Sequence, residues 1–130
     1  MSGRDWEPPP QNVLKCNVDA AVFADGASYG AVVRDQSCNF VAARSGSVAC
    51  NQDPLLAESL AAKEALTLLA GLVVKQCVSI ARGIGDVKVL HVKRTANQVA
   101  HVLARVTDSS FVSKSWDIIP PDCIVGLLNV

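Results

Sequence analysis

Residues 15–23 read KCNVDAAVF, and their alternation decides how the rest of the chain is read. Cys16, Val18, Ala20 and Val22 fall on one side of an extended strand, and Lys15, Asn17, Asp19 and Ala21 on the other. Asp25-Gly26 follows as a turn of the hairpin type. A second strand is expected over residues 28–34, a polar loop over 35–39 and a third strand over 40–48. Three strands joined by short turns make an antiparallel meander.

Downstream, Asp53 suits an N-cap and Pro54 suits the first helical position, where its missing N–H costs nothing. The spacing predicts a helix from 54 to about 70, with Ser59, Lys63 and Thr67 marking its exposed side. Glu58 lies on another side, in line with Ala61, Ala62 and Ala65, a stripe small enough to approach a sheet closely. Residues 71–85 are ambiguous between a helical stripe and a strand near 77–81. Residues 87–92 alternate as a strand, and Thr95 or Ala96 opens a further helix. There Val99, Val102, Leu103 and Val106 form the expected buried stripe, while Asn97, His101 and Arg105 stack at i+4 on a polar side.

Upstream, the run WEPPPQ (residues 6–11) is an extended leader, because prolines favour polyproline II and cannot join a sheet interior. The chain divides into a leader (1–13), a domain (14–108) and a tail (109–130) expected to pack on that domain. The fold class is α/β or α+β with a mixed sheet: the meander and at least one further strand, flanked by helices.

Composition narrows the function classes. Half of the 130 residues are hydrophobic and 18% are charged, which fits a folded domain better than a disordered chain. Twelve basic residues balance twelve acidic ones, so any nucleic-acid contact has to come from a local patch. Five cysteines, none at CxxC spacing, argue against a disulfide framework or a zinc ribbon. The longest uncharged apolar run, 65–74, is about half a membrane span. With no apolar leader of the signal type, the chain is expected to be soluble and intracellular, without a membrane partner. Neither a nucleophile elbow nor a phosphate-binding glycine loop is present.

Four strings in order carry a resemblance: KCNVDAAVF (15–23), GAVVRD (30–35), AESLAAKEAL (57–66) and HVKRTANQVAHVLAR (91–105). Together they resemble the ribonuclease H-like family, in particular its plant branch derived from retroelements and associated with reverse transcriptases. The WEPPP opening and the WDIIPPDCI ending are similar to the ends usual in that branch. The resemblance implies a five-stranded mixed sheet with flanking helices. It also implies cleavage of the RNA strand of an RNA–DNA hybrid with two divalent ions, Mg2+ or Mn2+. Two hard cations about 4 Å apart require several oxygen ligands converging from different elements.

Carried over residue by residue, the first family acid matches Asp19 and the second Glu58, both as metal ligands and catalytic carboxylates. The fourth position matches His101, an auxiliary ligand or proton carrier. Lys93, Arg94, Asn97 and Arg105 are the candidate nucleic-acid contacts, to phosphates or as a positioned polar face. The third acid has no counterpart, since residues 65–85 contain neither Asp nor Glu. The family's fourth strand is missing with it, as if deleted. Either residues 87–92 pair directly with the first strand, or 77–81 replace the lost one. The resemblance leaves three readings: a metal-dependent hybrid endoribonuclease with an incomplete acid set, a catalytically inactive nucleic-acid-binding module, or a degenerate retroelement remnant without selected activity.

Overall fold

The computed structural model describes residues 6–24, 26–48, 53–76, 97–106, 113–116 and 119–128. Strands β1 (Lys15–Phe23), β2 (Gly26–Arg34) and β3 (Phe40–Val48) come first. β1 pairs antiparallel with β2 from Lys15↔Arg34 to Phe23↔Gly26, and β2 with β3 from Ala27↔Val48 to Arg34↔Phe40. The meander expected from the alternation is therefore present, with β2 starting at Gly26 rather than at 28.

Asp35 builds the loop between β2 and β3. Its Oδ1 accepts from the amides of Ser37 (2.9 Å) and Asn39 (3.0 Å), and Cys38 adopts the left-handed conformation at φ 65°. Just beyond the loop, Val33 pairs with Ala42 and Arg34 with Phe40, which leaves Val41 as the extra residue of a bulge. The bulge turns Val41 and Ala42 to one face, where both pack with Val33 and Leu72.

Helix α1 (Pro54–Gln76) opens as its cap residue predicts. Asp53 Oδ1 accepts from the amides of Leu55 (3.1 Å) and Leu56 (3.4 Å), and the Asp53 carbonyl accepts from Ala57 (2.9 Å). Ser59, Lys63 and Thr67 are exposed, as their spacing implies. The buried stripe is Ala57, Ala61, Ala65 and Leu72, so Ala57 takes the place expected of Ala62. The helix also continues past 70 and absorbs the start of the ambiguous segment. Residues 77–96, with both candidate strands of that region, lie outside the described residues.

Helix α2 (Gln98–Val106), strand β4 (Ser113–Trp116) and the short helix α3 (Asp122–Val125) complete the described elements. β4 pairs antiparallel with β3, from Ala43↔Trp116 to Gly46↔Ser113, and the sheet order is β1-β2-β3-β4. The domain is thus α+β, a four-stranded antiparallel sheet packed against helices. The further strand of the described sheet comes from the tail and lies on the β3 edge; the strand expected beside β1, from 87–92 or from 77–81, falls outside the described residues.

Strand alternation sorts the sheet's side chains between two helices. On one face Cys16, Val33, Val41 and Ala42 meet Leu68, Leu69 and Leu72 of α1. On the other, Val32 and Ala43 meet Val99 and Leu103 of α2 and Ile124 of α3. β2 is buried on both faces, which explains its run of small residues, Ala27, Ser28, Gly30 and Ala31. A Cβ on Gly30 would stand 2.8 Å from the Ala100 carbonyl oxygen and 2.9 Å from Leu103 Cβ. Only glycine lets α2 lie this close. That approach rotates the buried stripe of α2 to Val99, Ala100, Leu103 and Ala104. Val102 still packs at the edge of the core, but Val106, expected inside, is 57% exposed.

Candidate functional site

Asp19 sits in mid-β1 opposite Gly30, on the face that receives α2. Because Gly30 has no side chain, the helix can come within hydrogen-bonding reach of the strand. His101 Nδ1 lies 2.8 Å from Asp19 Oδ2, with both side chains about one-fifth exposed. The contact is an ion pair when the imidazole is protonated, and a neutral hydrogen bond otherwise. One turn earlier, Asn97 Nδ2 donates to the Val18 carbonyl at 2.9 Å. Its Oδ1 is buried and has no hydrogen-bond partner among the described residues. The polar side read on this helix is therefore turned toward β1 at Asn97 and His101.

The remaining sequence-derived residues are placed less closely. Arg105 is exposed in the last turn of α2, its guanidinium 5.4 Å from the Phe23 ring centroid. Glu58 is exposed near the start of α1, the helix that covers the opposite face of the sheet. On that helix Glu64 is the carboxylate the sheet engages. Arg44 Nη2 is 3.4 Å from Glu64 Oε1, and Arg44 Nε donates to the buried Tyr29 hydroxyl at 3.1 Å. Lys93 and Arg94 lie outside the described residues.

The donor set can be weighed against the metal ions that the resemblance implies. Asp19 keeps one carboxylate oxygen clear of the His101 bond, a suitable hard ligand for magnesium or manganese. Among the described residues no group of three or more His, Cys, Asp or Glu side chains is gathered for a metal. Asp19 is thus a candidate single ligand, and Glu58 stands apart from it on the helix of the opposite face.

Sequence reading missed a second polar cluster on the same face. Trp6 of the leader is buried, and its Nε1 donates to Asn17 Oδ1 at 2.7 Å. The Arg34 guanidinium stacks 3.7 Å from the Trp6 ring centroid, and burial pulls it down to about 10, which leaves it charged at neutral pH. Burial likewise lowers Lys15, whose ammonium lies 5.2 Å from the same centroid; Glu7 opposes that shift and Arg34 adds to it. The available signal was an aromatic residue set in a proline-rich leader.

No described helix is long and apolar enough to cross a membrane. Comparison with family models, with curated proteins and with solved structures finds no match for this chain.

Proposed function

We propose that the chain is a ribonuclease H-type domain acting on RNA–DNA hybrids, with its site on the face that carries Asp19 and α2. The single observation behind this reading is the 2.8 Å contact between Asp19 and His101, residues 82 positions apart. They are the residues that match the family's first and fourth site positions, and packing brings them together. The order of meander, long helix and α2 supports the same reading. Asp19 would be the carboxylate offered to Mg2+ or Mn2+ on this face; Glu58, exposed on the helix that covers the opposite face, would have to reach the metal from the start of α1. A bound divalent ion would supply an activated water and stabilise the leaving oxygen of the RNA strand. Asp19 orients the imidazole through Nδ1, which makes Nε2 the position for proton exchange. Lys93, Arg94, Asn97 and Arg105 would position the hybrid's backbone.

The test is cleavage of a labelled RNA–DNA hybrid with magnesium or manganese, by the native chain and by Asp19→Asn. Metal-dependent cleavage that Asp19→Asn abolishes is the expected result. A folded native chain that leaves the hybrid intact would sink the hydrolase reading.

A second reading, a hybrid-binding module without hydrolysis, is favoured by the absence of any acid from 65 to 85. It expects metal-independent binding that weakens as salt rises, because phosphate contacts release counterions. Affinity that ignores salt would rule it out.

A further inference from the structure

The Trp6 cluster has no part in the chemistry at Asp19, yet it is built like a binding slot. Trp6, Asn17 and Arg34 are 8%, 5% and 3% exposed. Lys15, Asn17 and Asp19 alternate along one side of β1, and Arg34 pairs across from Lys15. The slot therefore opens on the face of Asp19, two positions along the strand. Arg34 Nε is buried there with no hydrogen-bond partner among the described residues. An aromatic ring fills the space over the guanidinium, while a donor on the ring's edge meets Asn17 Oδ1 at 2.7 Å.

Three recognition elements converge, and the indole uses two of them. Arg34 offers a flat cationic surface to a π face. Asn17 offers an acceptor to a ring-edge N–H. Lys15 offers an ammonium, engaged by the Glu7 main-chain carbonyl at 2.8 Å and lying near the Glu7 carboxylate. Both partners of Lys15 thus belong to the leader itself. A nucleotide supplies all three complements: a base to stack, an exocyclic amine for Asn17 and a phosphate for Lys15. Stacking of unpaired bases on flat side chains is a general mode of single-strand recognition.

We propose that Lys15, Asn17 and Arg34 form a nucleobase-binding subsite, held closed by Trp6 of the leader as an internal competitor. The proposal deepens the nucleic-acid reading above and rests on it. Displacement of the leader opens the slot to an unpaired base beside the hybrid site. Because a closed slot lowers apparent affinity by the fraction of molecules that are open, removing the competitor raises it.

The test is calorimetric titration of the full chain with adenosine 5′-monophosphate and with adenosine. Trp6→Ala is expected to bind the nucleotide at least about tenfold more tightly than the parent. Adding Lys15→Met should reduce binding of the nucleotide toward that of adenosine. In a Trp116→Phe background, the nucleotide should shift Trp6 emission to the red as the indole enters water. Equal affinities of parent and Trp6→Ala would overturn the proposal. So would a Trp6→Ala chain that fails to fold, since Trp6 would then be a fixed part of the core. Asp19→Asn leaves the slot intact, so nucleotide binding that survives in a chain without hydrolysis separates this inference from the cleavage reading.

Discussion

Gly30 and Ala104 meet backbone to backbone: a Cβ on Gly30 would stand 2.7 Å from the Ala104 amide nitrogen. Beside this contact the Ser28 hydroxyl donates to the Ala104 carbonyl at 2.5 Å, so strand and helix are fixed at two adjacent points. The atoms that a methyl would strike include backbone, which cannot rotate away. Gly30→Ala should therefore cost about 1–3 kcal/mol, the range for overpacked sites. Thermal unfolding followed by circular dichroism should show a midpoint lowered by roughly 5–10 °C. An unchanged midpoint would mean that α2 can lift from the sheet without loss.

The pairing of Asp19 with His101 should couple their stabilities. His101→Ala removes the imidazole and leaves the carboxylate without that partner, while Asp19→Asn keeps an acceptor but removes its charge. Both side chains are partly exposed, so solvent screens the pair. A double-mutant cycle with alanine at both positions should give a coupling of about 1 kcal/mol. Additive losses in urea unfolding would show that the two groups do not act on each other in solution.

Cysteine reactivity offers a pH-dependent check on the packing of β1 against α1. Burial pushes the Cys16 thiol from 9.0 up to about 12, whereas Cys38 is exposed in the β2–β3 loop. At pH 8, iodoacetamide should modify Cys38 well before Cys16, as read by peptide mass mapping. The linkage sign follows. Above pH 9 the unfolded chain ionises this thiol while the folded chain keeps its proton, so stability present below pH 9 is lost toward pH 12. Equal labelling of the two would refute the buried environment of Cys16.

Asp53 is an exposed cap with two amide partners, and its loss should be felt at α1 alone. Asp53→Ala should cost about 1 kcal/mol in equilibrium unfolding. A stability equal to that of the native chain would show that the Asp53 side chain is not needed to hold the end of α1.

Much of this architecture is visible in local sequence. The alternation at residues 15–23 and the Asp53-Pro54 pair depend on near neighbours, so strand, turn and cap follow from short-range rules. The rotation of α2 is not visible that way. Val106 is more apolar than Ala104, and only the missing side chain of Gly30, more than 70 positions away, makes Ala104 the buried residue. Asp19 and His101 were legible one at a time, but their contact depends on the same close approach. Trp6 was hidden for a related reason: its partners, Asn17 and Arg34, lie on two different strands and only the β1–β2 pairing brings them side by side.

Among the described residues, hydrogen bonds from Ser28, Asn97 and His101 tie α2 and the residue before it to the sheet across 76, 79 and 82 positions of chain. By contrast, the β1–β2 and β2–β3 pairings close over short turns. Loop closure over such distances must precede any reward from the contacts, which places the Asp19 face late in the order of assembly. Pulsed amide exchange during refolding should show β1 to β3 protected before α2. The face proposed to carry the chemistry would then exist only once folding is nearly finished, and a chain halted earlier would hold its sheet without its site.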